Sequence, residues 1–339
     1  MTACPYGFRI VGSPRNQRRP TRWAVAFGAY ADCDPRAECG RESYLSAFTF
    51  GADFAAHLRR HRTPKGLPES VQCFAPWVWW DIDRAGDLPA AQADAVRLAL
   101  SLEQQFAIDP EDLLLFFSGS KGYHVGLATS LWRCEPSADF HRVARAFCQQ
   151  AAQMADVATD PSIYDRVHLL RAPNSRHPKT GLHKVRASVE DLKHLSPEAI
   201  RQRAAEPMEF EIPTPTRRDW NLQNAWTDAA EQVRRQAEAV AQARQDAPAK
   251  MNRLTLDFIR YGAEQGGQGE QADKTAGDGR HRRLFSAAAN LAEFGCPPNL
   301  AHALLTEPGL DCGLSPSDVR RQIDCGLSHA GRGQEGGAA

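Results

Sequence analysis

The stretch LLLFFSGSKGYHVGLAT, residues 113–129, constrains the fold most. An apolar run stops at Ser118-Gly119-Ser120-Lys121-Gly122, and apolar character resumes through Tyr123, Val125 and Leu127. Short apolar runs bounded by turn formers read as buried strands, and a glycine-containing break between two of them reads as a hairpin. Two adjacent buried strands need covering elements, so the chain around them must supply helices or a second sheet.

It supplies both. TRWAVAFGAYAD (21–32) and ESYLSAFTF (42–50) alternate as strands do, and VQCFAPWVWWDID (71–83) ends in a dense aromatic run that fits a buried strand. Helical spacing appears over 52–62, over 88–106 through Ala91, Val96, Leu100, Leu102 and Phe106, and over 138–155 through Phe140, Val143, Phe147, Ala151 and Met154. Residues 157–159 read as a short strand, and 168–185 as strand, Pro/Asn/Ser turn, basic loop, strand. The expected class is α/β (α+β).

After Pro213 the texture changes. Residues 228–247 form a polar, alanine-rich helix with a thin apolar face, either a spacer or a helix lying along another domain. EQGGQGEQADKTAGDG (264–279) has a linker's composition. Three short helices follow: 280–295 stopped by Gly295, then PNLAHALLTEPG, then 315–331 with Ser315 as N-cap and Asp318 completing the capping pattern. The expected division is a main domain over 1–215, a helical spacer and linker over 216–279, a helical bundle over 280–331 and a disordered tail over 332–339.

Composition excludes some classes. There are 41 basic and 41 acidic residues, so any surface for nucleic acid must be local rather than a global basic charge. No apolar run approaches the roughly 20 residues of a membrane span, and the first residues lack the apolar core of a signal peptide. The nine cysteines are scattered without a CxxC pair; even Cys33 and Cys39 are too far apart for a zinc knuckle, so free thiols and a reduced cytoplasmic setting are expected, and zinc is not.

Three constellations carry chemistry. Asp81-Ile82-Asp83 closes the aromatic strand, and carboxylates at i and i+2 share one face, where they either chelate divalent cations or simply end a charged strand. In the hairpin, Gly119 and Gly122 let the backbone approach an anion, while Ser118, Ser120, Lys121 and then His124 add donors; the plain alternative is a turn with a solubilising lysine. It is not a P-loop, because the GxxxxGK[ST] spacing is absent. Finally, DPSIYDRVHLLRAPNSRHPKTGLHK (160–184) sets Asp160 and Asp165 ahead of Arg171, Ser175, Arg176, His177, Lys179 and His183, which is either an anion-binding loop or a solvated basic one. Together they are the set a nucleotidyl transferase needs: carboxylates for metal and cations for a triphosphate.

In order and spelling, DID, SGSKGYH and an Asp followed by LLRAPNSRHPKTGL resemble the catalytic subunit of archaeo-eukaryotic primases and the wider primase-polymerase superfamily, over residues 74–186. The resemblance implies a catalytic core with an RRM-like sheet, a two-metal Mg²⁺ or Mn²⁺ centre on Asp81, Asp83 and Asp160, and a triphosphate held by Ser118, Ser120, Lys121, Gly122, His124, Arg171, Ser175, His177 and Lys179. The gap from Asp160 to Arg171 is shorter than expected for archaeal subunits, which keeps Asp165 open as third ligand. The clustered cysteines of the archaeal and eukaryotic zinc element are absent. The implied activity is primer synthesis on single-stranded DNA from nucleoside triphosphates; the alternative is a non-catalytic DNA-binding replication protein on the same fold. The C-terminal helices are similar to those appended to primases of mobile elements, where they aid initiation or contact a replicative helicase. Arg280, Arg282, Arg283, Arg320 and Arg321 offer either a basic face or a solvated surface. Trp77, Trp79 and Tyr123 are either stacking groups for template bases or core.

Overall fold

The computed structural model describes residues 4–64, 66–215, 217–246, 251–262 and 278–334. The chain divides into two compact units, residues 1–237 and 238–339.

The first unit is mixed α+β, with every ladder antiparallel. Its elements run β1 (Tyr6–Val11), β2 (Arg19–Arg22), α1 (Trp23–Ala31), β3 (Ser43–Ser46), β4 (Thr49–Phe50), α2 (Ala52–His61), β5 (Cys73–Phe74), β6 (Trp77–Asp83), α3 (Leu88–Phe106), β7 (Leu114–Phe117), β8 (Gly122–Ala128), α4 (Phe140–Met154), β9 (Leu169–Arg171), β10 (Val185–Arg186), α5 (Val189–His194), α6 (Pro197–Arg203) and α7 (Trp220–Asp246), whose residues after Ala237 belong to the second unit. One sheet has the order β5-β4-β1-β3-β9, with β2 also on β1; the other has the order β10-β7-β8-β6.

The expected hairpin is β7–β8, with Phe117 opposite Tyr123 and Leu115 opposite Val125. Strand alternation divides this sheet into a helix face and a second face. Trp80 and Tyr123 lie under the helices: the Trp80 indole donates to the Cys148 carbonyl of α4 at 2.8 Å, and the Tyr123 hydroxyl donates to Gln92 Oε1 of α3 at 3.0 Å. Burying side chains of this kind contributes about 2–3 kcal/mol each. Trp77, Trp79, Asp81 and Asp83 point the other way. Trp79 lies flat against Gly126, where a Cβ would come within 2.6 Å of the ring. Trp77, Trp79 and Tyr123 are all buried, so they are core and present no open ring to a template base.

Three sequence expectations are corrected here. Residues 21–32 are mostly helix, not strand: Trp23, Phe27, Tyr30 and Ala31 are the buried positions of α1, a helical stripe, while Val25 is exposed. Residues 157–159 form no strand, although the Asp160 N–H that follows donates to the Asp81 carbonyl at 2.9 Å and ties this segment to the free edge of β6. The polar helix starts at Trp220, and its first turns are not a spacer. Leu222, Trp226 and Ala229 are buried, with the Trp226 ring 5.1 Å from Phe140, 5.5 Å from Trp132 and 5.8 Å from Phe147.

The second unit contains α8 (Arg253–Tyr261), α9 (Asp278–Glu293), α10 (Pro298–Asp311) and α11 (Pro316–Gln334). The last three are the expected bundle; α8 lies in the span expected as helical spacer and linker, yet its Phe258 joins Leu284, Leu291, Leu305, Val319 and Ile323 in the core. Gly295 closes α9 at φ +67°, and Ser315 caps α11, accepting from the Asp318 N–H at 3.2 Å. Arg280 donates to the Cys312 carbonyl at 2.7 Å and Arg321 pairs with Asp318 at 2.8 Å, so two of the five arginines serve the bundle itself. Most of the expected linker, residues 264–277, lies outside the described residues, as do 335–339 of the expected tail; residues 332–334 continue α11. Among the described residues no helix is long and apolar enough to cross a membrane.

Candidate active site

Asp81 and Asp83 leave β6 on its helix-free face. Across the ladder Asp81 pairs with His124, and Asp83 with Gly122. Glycine is required at 122, because a Cβ there would overlap the Ile82 carbonyl oxygen and Asp83 Oδ1. Asp160 arrives from the segment after α4. Its N–H bond to the Asp81 carbonyl, and the bond of 2.8 Å from the Tyr164 hydroxyl to the Trp79 carbonyl, clamp the turn Pro161–Tyr164 to β6. Asp165 ends that turn, exposed, its Oδ1 accepting from the Val167 N–H at 3.3 Å. The fold therefore brings Asp160, not Asp165, to Asp81.

The cationic side comes from the loop over 172–184. β9 belongs to one sheet and β10 to the other, so this loop crosses between them. Arg171 ends β9 with its guanidinium carbon 5.1 Å from the Tyr44 ring centre, and its Nη1 is buried without a hydrogen-bond partner. The His177 Nδ1 accepts from the N–H groups of Lys179 and Thr180, both at 3.3 Å, which leaves its proton on Nε2. Burial, then Arg171, lowers the pKa of His177. Lys179 is exposed at the loop tip. Ser175 is not offered to a ligand: it is fully buried, with its hydroxyl 2.7 Å from the Ala172 carbonyl and 3.1 Å from that of Ser43.

The hairpin turn packs on this loop. Gly119 sits at φ +83°, a conformation costly for side-chain-bearing residues, and the Thr180 hydroxyl donates to its carbonyl at 2.6 Å. Ser118 frames the turn, donating from its N–H to the Gly122 carbonyl at 2.9 Å and accepting the Gly122 N–H on Oγ at 3.3 Å. Ser120 is half-buried at the tip. Lys121 turns back to Asp83, Nζ to Oδ2 at 2.7 Å. This pairing raises the pKa of Lys121.

The two sides meet at a residue absent from the sequence-derived candidates. Lys184 is buried, its Nζ 2.9 Å from His124 Nδ1 and 3.0 Å from the Arg171 carbonyl. The His124 Nε2 in turn lies 3.4 Å from Asp81 Oδ1, which has no hydrogen-bond partner. A line of groups thus runs from Asp81 through His124 and Lys184 to Arg171. Burial first, then the charges of Asp83 and Asp160, pushes the Asp81 carboxyl up to about 7. Burial brings Lys184 down to about 7, against the pull of Asp81. Burial, then Lys184, holds His124 well below its ordinary value, so the ring is uncharged at neutral pH. In sequence, the one signal for Lys184 is its spacing of two from Arg186, which puts it on the same face of the incoming strand.

Oxygen-only donors suit Mg²⁺ or Mn²⁺, and the unpartnered Asp81 Oδ1 is a ligand without a partner. The donors fit in kind but are not gathered. Asp83 is turned to Lys121, Asp160 accepts the Ser162 N–H and hydroxyl at 2.8 Å and 2.9 Å, and no metal-binding group of three or more His, Cys, Asp or Glu side chains occurs among the described residues. No protein-family model matches the chain, and no curated protein matches it.

Proposed function

We propose that the chain is a template-directed nucleotidyl transferase of the primase-polymerase type, joining nucleoside triphosphates on single-stranded DNA. The observation that carries this reading is the line of contacts from Asp81 through His124 and Lys184 to Arg171, whose Nη1 is buried and unpartnered, with Asp83 and Asp160 close enough to act on the Asp81 carboxyl. An unpaired buried guanidinium nitrogen is costly unless an anion completes it. The element order β6, α3, β7, β8, α4, with the segment before Asp160 beside β6, also supports it, because this is most of a β-α-β-β-α-β unit with the carboxylates on its open face.

In this reading Arg171, His177 and Lys179 hold the triphosphate, and His124 directs its Nε2 at the same anion. Asp81, Asp83 and Asp160 would hold Mg²⁺ or Mn²⁺, which when bound polarises phosphoryl oxygens and favours the alkoxide form of an attacking hydroxyl. Lys121 must leave Asp83 for that, and in doing so it becomes free to reach phosphate oxygens. Catalysis is then mostly positioning and charge stabilisation. The test is extension or de novo synthesis on a single-stranded template with labelled nucleotides. Arg171→Ala is expected to cost roughly 10²–10³-fold in rate, as loss of a preorganised charge does. Unchanged synthesis by that variant contradicts the assignment.

The Lys121–Asp83 ion pair favours a second reading, in which the ammonium stands permanently where a cation would sit and the protein binds nucleic acid without chemistry. Nucleoside triphosphate binding that is indifferent to Mg²⁺ and Mn²⁺ would select it.

A further inference from the structure

We propose that Lys184 is a positioning residue: its Nζ donates to His124 Nδ1 and thereby holds the imidazole in the tautomer whose proton is on Nε2, facing the carboxylates. This deepens the functional reading above and rests on it for the identity of the anion that the Nε2–H meets.

The surroundings of Nζ fix the direction of the bond. Its neighbours are His124 Nδ1 at 2.9 Å, the Arg171 carbonyl at 3.0 Å, and the ring faces of Phe116 and Trp79, with centres at 4.9 Å and 5.3 Å. As the ammonium, Nζ carries three protons and no lone pair, while the carbonyl and the two aromatic faces only accept, so in that form Nζ donates to Nδ1. The other side of the ring agrees. Nε2 lies 3.4 Å from a carboxylate oxygen, which accepts and does not donate when ionised. An imidazole protonated on Nδ1 would instead set a lone pair on Nε2 against that oxygen. A purely structural role does not account for the lysine, because burying an amine among Trp79 and Phe116 with no ion-pair partner in contact costs more than an apolar chain of the same length.

Fold and position allow a clean substitution. Lys184→Met keeps the unbranched chain between the two rings and removes only the donor. The experiment uses full-length protein labelled with ¹⁵N at histidine, with His124 assigned from His124→Asn. In the wild type Nδ1 is expected unprotonated and Nε2 protonated; in Lys184→Met the His124 ring signals move toward the opposite tautomer or a mixture. In primer synthesis Lys184→Met is expected to raise the KM for nucleoside triphosphate about 10-fold to 100-fold, with kcat changed less, as loss of an orienting partner does. Adding it to His124→Asn is expected to cost nothing further.

A protonated Nδ1 in the wild type, ring signals unmoved in Lys184→Met, or losses that add fully with His124→Asn each overturn the proposal. If Lys184→Met does not fold, the wild-type spectrum decides alone. If the ring signals move as expected while the wild type makes no primers, the positioning stands and the functional reading falls; primers with unmoved signals give the reverse.

Discussion

Gly122 and Asp81 are where the site and its stability meet most directly. Gly122→Ala places a methyl into the Ile82 carbonyl, which the β6–β8 ladder fixes, and against Asp83 Oδ1. The expected loss is about 3 kcal/mol, the upper range for overpacking, read as a lowered denaturant midpoint. Asp81 predicts a pH signature. Its folded pKa is raised from 3.8 to about 7, so within that window the folded chain holds a proton the unfolded chain has lost, and stability falls as pH rises. Asp81→Asn cannot ionise. In chelator it is expected to gain stability relative to the wild type progressively from pH 3.8 to about 7, with no growing difference below that range. Lys184 acts oppositely: lowered from 10.5 to about 7, it makes stability rise with pH over that range, a trend that Lys184→Met should abolish. A titration of denaturant midpoints against pH checks both. The aspartates were legible in sequence because paired carboxylates after an apolar strand are unusual company. Lys184 was not, since a lysine beside a loop reads as surface until two sheets are seen to close over it. Ser175 erred the other way: a hydroxyl in a basic loop reads as a ligand, and here two backbone carbonyls take it.

At the scale of elements, the β7–β8 hairpin, α3 and α4 were legible because each has one dominant period and clear boundaries. Helix α1 was misread because Trp-Ala-Val-Ala-Phe-Gly-Ala-Tyr-Ala satisfies both periods locally; the deciding fact is which of its residues meet the core. Pairing across distance was hidden as well. Nothing in 168–185 says that its two short strands join different sheets, yet that crossing brings Lys184 back onto the Arg171 carbonyl at 3.0 Å. Helix α7 gives a test of element assignment. Trp226 packs among Trp132, Phe140 and Phe147, so Trp226→Ala is expected to cost about 3–5 kcal/mol in the first unit. A chain ending at Pro215 would expose the same three rings, and its thermal unfolding should show the corresponding loss.

The whole molecule joins an α+β unit carrying the candidate site to a small helical unit with its own core. With 41 basic and 41 acidic residues the chain has no net charge to attract nucleic acid, so if it binds single-stranded DNA the contacts are local, and the slope of affinity against salt counts them. The central claim is that Asp81, Asp83 and Asp160 work together with Arg171 and His124 as one nucleotidyl-transfer site. Its most direct measurement is primer synthesis on a single-stranded template with labelled nucleoside triphosphates and Mg²⁺ or Mn²⁺, comparing the wild type with the Asp81→Asn, Asp83→Asn double variant. The account predicts metal-dependent primers from the wild type and none above background from the folded double variant. Equal synthesis by the two proteins would contradict it.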